Sequence, residues 1–207
     1  MKELILASAS PRRKQLLEMV GYPFTVAVSD AAEETDKTQP GEIVMDLSYQ
    51  KARAVAAQTD LKPGTLILGA DTIVVQDGEV LGKPLDEADA ARMIRMLAGR
   101  SHSVFTGVTL LEAGDGPAGE PFLVRSRFFR ETVVFVHAMS EEESHAYLLT
   151  GEAYDKAGAY GIQGAFGVYV DRIEGDYNNV VGLPVSAVYQ ALRETGIFAR
   201  DSGEQEK

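Results

Sequence analysis

The run Leu66-Ile67-Leu68-Gly69-Ala70-Asp71-Thr72-Ile73-Val74-Val75 constrains the fold more than any other stretch. It is almost wholly apolar and rich in branched side chains, so it reads as one long strand inside a covered sheet. A single carboxylate, Asp71, interrupts it. A buried carboxylate is costly unless it is paired or binds metal. The ordinary alternative puts Asp71 at a strand end or on the wet face of a one-sided sheet, and the apolar residues on both sides of it argue against that. Gly69 and Ala70 leave room beside it, which suits a ligand approaching the backbone. Buried charges concentrate at functional sites, and Asp71 is therefore the first candidate.

The rest of the chain mixes helix and strand throughout. Residues 4–6 read as a strand, 11–20 as a helix closed by Gly21, and 24–28 as a second strand. Residues 43–58 are helical, with Ile43, Leu47, Ala54 and Val55 on one face. Asp77-Gly78 makes a tight turn into Val80-Leu81. Asp86 caps a helix carrying Ala90, Ile94 and Leu97, which Gly99 ends. Two long strands, 103–112 and 123–136, are joined by an exposed Gly/Pro-rich loop at 113–121. Ser140 and Glu143 form a capping box for a helix to Leu149. A glycine-rich loop, a strand at 168–173, a turn at Gly175-Asp176 and a last helix at 185–195 follow. No repeat is present, and no linker separates two hydrophobic cores. Long neighbouring strands argue against simple βαβ alternation. The expected fold is α/β: an elongated mixed, partly antiparallel β-sheet flanked by helices, with two lobes and a central cleft. Residues 1–198 form a single domain, and the polar residues 199–207 are expected to be a disordered tail.

Composition excludes several chemistries. The chain of 207 residues, 45 % hydrophobic, can build a core without staples. It has no cysteine, so disulfides, zinc–thiolate sites and thiol catalysis are out. The first apolar run is too short for a signal peptide or a membrane span, which implies a cytoplasmic protein with no membrane partner. A net charge of −11 repels a polyanion such as DNA, so nucleic acid is not an expected partner. A small phosphate ligand then needs a local cationic cluster.

The opening stretch Ser8-Ala9-Ser10-Pro11-Arg12-Arg13 supplies one. Ser10 is a good N-cap and Pro11 is well placed at the first helical position. Arg12 and Arg13 fall in the first turn, where the macrodipole disfavours cations unless an anion joins them. Small residues, backbone N–H groups and two guanidinium forks describe a phosphate site; the bland alternative is a solvated helix start. Lys51 shares a helix face with Leu47 and Ala54, as a site residue or as a side chain reaching the helix edge. Lys83 is stiffened by Pro84 but is by default a surface lysine. Glu33 and Glu34 lie in a polar stretch where acidic pairs are usually solvated. The segment Asp155-Lys156-Ala157-Gly158-Ala159-Tyr160-Gly161-Ile162-Gln163-Gly164 is glycine-dense, yet neither GxxxxGK[ST] nor GxGxxG occurs. His102, His137 and His145 show no metal spacing, and no GxSxG elbow is present.

Together these residues resemble the Maf family of nucleoside triphosphate pyrophosphatases, from about Leu4 to Leu192. The landmarks are Ser8–Arg13, Lys51-Ala52, Gly69-Ala70-Asp71-Thr72, Gly82-Lys83-Pro84, Thr106-Gly107-Val108, the 155–164 loop and Val181-Gly182-Leu183-Pro184. Gly161-Ile162-Gln163-Gly164 is similar to the branch acting on dTTP and UTP. The resemblance implies a fold related to inosine triphosphate pyrophosphatases, often homodimeric. It implies Asp71 as the catalytic proton acceptor, and Ser8 and Ser10 as part of the substrate site. Arg12, Thr72 and Gln163 take positions tied to substrate choice, and Arg13, Lys51 and Lys83 face the triphosphate. A glutamate after the second strand is also implied: Glu34, which precedes Thr35, with Glu33 as the alternative.

That set implies cleavage between the α and β phosphates, with water aimed at the α phosphorus and charge neutralised on the departing pyrophosphate. Asp71 takes the water's proton, and Asp71 with Glu34 can hold a divalent cation, Mg²⁺ or Mn²⁺. The Gln163 amide matches the O4/N3–H edge shared by thymine and uracil. Two other readings stand beside this one. In one, the protein is a nucleotide-binding regulator of septum formation with incidental hydrolysis. In the other, the same reaction runs on 7-methyl-GTP, which Gln163 and its glycine neighbours disfavour.

Overall fold

The computed structural model describes residues 2–19, 21–28, 34–58 and 61–196. In chain order its elements are β1 (Leu4–Ala7), α1 (Pro11–Met19), β2 (Thr25–Val26), α2 (Pro40–Gln58), β3 (Leu66–Gln76), β4 (Glu79–Leu81) and α3 (Glu87–Leu97). Next come β5 (Ser101–Ala113), β6 (Phe122–Val136), α4 (Glu141–Leu148), β7 (Val170–Glu174), α5 (Tyr177–Val181) and α6 (Val185–Glu194). The expected tail at 199–207 lies outside the described residues, as do Val20 and Glu33.

The strands form one mixed sheet in the order β2-β1-β3-β5-β6-β7, with β4 alongside β3. β1 runs parallel to β2 and β3, and the remaining pairs are antiparallel. The Leu66 run is thus the strand around which the sheet is built, as its composition demands. One of its edges is shared by two short strands. β1 pairs with residues 66–69 and β4 with residues 74–76. Between them, among the described residues, 70–73 have no strand on that edge, and the sheet opens there.

Alternation along the strands builds two layers. Leu66, Leu68, Ala70, Val108 and Leu110 face α1 and α6 through Leu17, Val188 and Leu192. Farther along the same face, Val74, Val104 and Val134 meet α3 and α4 through Ile94, Leu97 and Tyr147. These two clusters are the lobes. Each fully buried Leu or Ile contributes about 1.5–3 kcal/mol relative to exposure, so both lobes are well supported. α2 covers the opposite face, where Ala52 and Val55 pack on Ile67 and Leu111, and Val44 packs on Ile73 and Phe105.

The cover by α2 corrects two expectations. The space beside Gly69 takes no ligand. A Cβ there would collide with the Ser48 carbonyl, and one at Gly107 with the Val44 carbonyl. The two glycines let the helix backbone lie directly on the sheet, and Ser48 Oγ meets Thr109 Oγ1 at 2.8 Å. The most buried stripe of α2 is accordingly Val44, Ser48, Ala52 and Val55, not the face centred on Ile43, Leu47 and Ala54, because small residues permit the closest approach. β2 is shorter than 24–28, and both its residues are exposed. The caps agree with the sequence: Asp86 accepts from the Asp89 N–H, and Ser140 with Glu143 closes a full capping box.

Candidate active site

The gap in the β3 edge opens into a cleft of about 600 Å³. β1 ends into it, and α1 starts from it. Residues 8–13 therefore form one wall, and β3 supplies Asp71 and Thr72 at the floor. Lys51 comes from α2, Lys83 from the segment after β4, and Asp155 and Ala157 from the glycine-rich loop. Among the charged lining residues, four cations (Arg12, Arg13, Lys51, Lys83) face two carboxylates (Asp71, Asp155). The local balance is positive in a chain of net charge −11, which suits a polyanionic ligand of small size.

Asp71 is 8 % exposed, and Lys51 Nζ donates to its Oδ1 at 2.6 Å. This pairing answers how a carboxylate survives inside an apolar strand. It exists because Gly69 and Gly107 seat α2 close enough for Lys51 to reach the sheet. Arg13 is also buried, at 8 %. Its Nε donates to the Gly182 carbonyl at 2.7 Å, Nη1 to Ser8 Oγ at 3.1 Å, and Nη2 to Thr72 Oγ1 at 2.9 Å. Arg13 thus ties the residue after β1, β3 and the C-terminal end of α5 together across the cleft floor. Ser10 Oγ accepts from the Arg13 N–H at 3.4 Å, the capping contact its type predicts.

Arg12 reaches across the cleft. Its Nη1 donates to Asp155 Oδ2 at 3.2 Å, and Lys156 Nζ donates to Asp155 Oδ1 at 2.6 Å. Burial pushes the Asp155 carboxyl up, but the hydrogen bonds from Lys156 and Arg12 outweigh it and hold it below its ordinary value. A smaller recess of about 70 Å³ opens next to the cleft, lined by Gln163, Lys156, Tyr160 and Ile162. Arg12, Ala157 and Val181 border both spaces. The loop that carries Gln163 is anchored from beneath. Tyr160 Oη meets His102 Nε2 at 2.7 Å, Tyr147 Oη donates to the Ala159 carbonyl at 3.1 Å, and the Gly158 N–H donates to the Gly82 carbonyl at 3.0 Å. Burial pushes the Tyr160 and Tyr147 hydroxyls up, so both stay protonated.

Of the residues singled out from sequence, Ser8, Ser10, Arg12, Arg13, Lys51, Asp71, Thr72 and Lys83 line the cleft, and Gln163 lines the recess beside it. Glu34 is exposed and does not line either space. Its main-chain carbonyl accepts from Gln50 Nε2 at 2.7 Å, which fastens this segment to α2 one residue before Lys51. Asp155 and Lys156 were missed as individuals. Adjacent opposite charges in a glycine-rich loop look solvated in a sequence, and only the fold turns them toward Arg12.

Among the described residues no three His, Cys, Asp or Glu side chains gather to hold a metal ion. One buried carboxylate enters the cleft, with the hydroxyls of Ser8 and Thr72 near it in the lining. Mg²⁺ is commonly bound by one or two carboxylates with substrate phosphates and waters completing the shell. The donor set therefore fits a divalent ion that arrives with a polyphosphate, not a preformed cage.

Fold and cleft define an α/β protein with a polyanion-binding site built around one buried carboxylate. Residues 3–195 match the family model described as Maf-like protein. The chain belongs to the Maf family. It is 45 % identical to a protein of Agathobacter rectalis named dTTP/UTP pyrophosphatase, over 95 % of this chain and 99 % of that one. Proteins of the same name from Geobacillus sp. and Symbiobacterium thermophilum are each 48 % identical, over 95 % and 98 % of this chain and the full length of their own. Among solved structures, a HAM1 protein from Coxiella burnetii aligns with 65 % of this chain and 73 % of its own, at 20 % identity and a TM-score of 0.42.

Proposed function

We propose that the protein is a nucleoside triphosphate pyrophosphatase that hydrolyses dTTP and UTP to the monophosphate and pyrophosphate. The observation that carries this reading is the Lys51–Asp71 pair at 2.6 Å on the floor of a cleft whose charged lining residues are four cations and two carboxylates. Relatives at 45–48 % identity bear that activity in their names.

The chemistry follows from the positions. Arg12, Lys83 and the N-terminus of α1 hold the phosphates. The pyrophosphate leaves with its charge spread over these cations. Asp71 accepts the proton of a water that attacks the α phosphorus, and Lys51 fixes the orientation of its carboxylate. Arg13, in the cleft lining, holds Ser8 and Thr72 in place. Gln163, at the recess, offers an amide donor and acceptor to the O4/N3–H edge of thymine or uracil. A divalent ion would be held by Asp71 together with the substrate phosphates; Glu34, the second carboxylate expected from the sequence, does not line the cleft. When bound, the ion supplies charge neutralisation on the phosphates. The expected cytoplasmic location and homodimeric state belong to the same proposal. Among the described residues no helix is long and apolar enough to cross a membrane.

Assaying dTTP, UTP, CTP and 7-methyl-GTP side by side, with Mg²⁺ and with Mn²⁺, tests the reading. dTTP and UTP are expected to be the preferred substrates. Cytosine reverses the hydrogen-bond pattern met by Gln163, and the expected loss is about 1–3 kcal/mol in transition-state binding. Preference for 7-methyl-GTP, or binding without turnover on every triphosphate, would overturn it.

A further inference from the structure

A buried chain of hydrogen bonds leaves the cleft floor. Thr72 on β3 and Thr106 on β5 are directly opposed, with their hydroxyl oxygens 3.0 Å apart. Thr106 Oγ1 donates to the Asn179 carbonyl at 2.9 Å. Thr106 and Asn179 are fully buried, and Asn179 is held in turn by its Nδ2 bonds to the Val104 carbonyl and Thr132 Oγ1, each 3.0 Å.

Counting hydrogens fixes the direction of the chain. A carbonyl has none, so the single hydroxyl hydrogen of Thr106 goes to Asn179. The hydrogen between the two threonines must then come from Thr72. Thr72 also accepts from Arg13 Nη2 at 2.9 Å. One lone pair is left on a side chain that lines the cleft. Ser8, Arg13's other hydroxyl partner, is the opposite case. Its oxygen accepts from the Ser10 N–H and from Arg13 Nη1. Among the described residues no hydrogen bond takes its proton, which remains available to a phosphate oxygen.

We propose that Thr106 is a positioning residue that makes Thr72 an acceptor-only group, so that Thr72 takes a hydrogen from the bound substrate complex and gives none to a phosphate. This deepens the pyrophosphatase reading and rests on it. The phosphate oxygens of an ionised triphosphate carry no hydrogen, so Thr72 repels them. The donors in the complex are the N–H and O–H groups of the nucleoside and the attacking water.

The test compares T106V, T106S, T72V and the T72V/T106V double variant. It measures kcat and KM on dTTP and calorimetric affinities for dTMP and for inorganic pyrophosphate. T106V frees the Thr72 proton and is expected to lower kcat/KM about three- to tenfold, the worth of one hydrogen bond. T106S restores it, and T106V adds nothing in the T72V background. A weakened dTMP affinity places the donor on the nucleoside, whereas a loss confined to kcat places it on the water. Pyrophosphate affinity is expected to hold or tighten. Weaker pyrophosphate binding in T106V, additive penalties in the double variant, failure of T106S to rescue, or wild-type kinetics in T106V would each overturn the proposal. If T106V does not fold, T106C keeps the volume with a weak donor and takes its place. A wild-type protein that binds dTMP but turns over no triphosphate sinks the pyrophosphatase reading alone. In that case unchanged dTMP affinity in T106V overturns this one.

Discussion

Asp71 and Lys51 divide one task between them. The carboxylate is useful only as an anion, and the ammonium 2.6 Å away keeps an anion tolerable in a strand whose neighbours are apolar. Asp71→Asn keeps the shape and removes the base. It is expected to lower kcat on dTTP by about 10²-fold or more while dTTP affinity stays within about threefold; stopped-flow turnover and calorimetry check the two halves separately. His102 makes a second case, in stability. Burial pushes its imidazole down to about 4 from an ordinary value near 6.5. The unfolded chain therefore binds a proton that the folded chain refuses. The stability this histidine contributes is intact above pH 6.5 and is lost progressively as pH falls toward 4, by roughly 3 kcal/mol at most. Chemical denaturation at pH 7 and at pH 4.5 should show the drop, and His102→Gln should shrink it. Of the site, Asp71 was legible in the sequence because the apolar residues on both sides of it weaken the bland alternative of a strand end or a wet sheet face. Asp155 and Thr106 stood there only as members of motifs, without a role, and Asn179 not at all, because a threonine in a strand or a charge pair in a loop looks ordinary until its partners are known.

At the scale of elements, the site depends on how closely α2 lies on the sheet. Gly69 and Gly107 set that distance, and the reach of Lys51 follows from it. Gly107→Ala would push against the Val44 carbonyl. It is expected to destabilise the protein by about 1–3 kcal/mol and to lower kcat by moving Lys51 off Asp71. Thermal unfolding together with kcat on dTTP reads both, and a stability loss with unchanged kcat would separate packing from chemistry. The helix caps and the Asp77-Gly78 hairpin were legible locally, since each rests on a few adjacent residues. The use of Gly69 was misjudged for the converse reason. A glycine in a strand announces close approach, but whether a ligand or a helix approaches is decided by residues 17–21 positions away, at Ser48 and Ala52. The gap between β1 and β4 on the β3 edge is a property of pairing, and no single segment encodes it.

For the whole molecule, the contrast is between a general charge of −11 and a cleft with four cations and two carboxylates. The general field opposes a triphosphate at long range, and the cleft attracts it at short range. Salt screens both, with a Debye length near 8 Å at physiological strength. Long-range repulsion is screened first, and contacts inside the cleft are shielded by protein. KM for dTTP is therefore expected to change less than about threefold between 20 and 150 mM NaCl and to rise steeply only at higher salt; steady-state kinetics across the series checks this. The central claim is that this cleft aims water at the α phosphorus, and isotope transfer tests it most directly. Hydrolysis of dTTP in ¹⁸O-labelled water is expected to place the label in dTMP, with unlabelled pyrophosphate as the other product. Label in the pyrophosphate, or release of orthophosphate instead, would contradict the account.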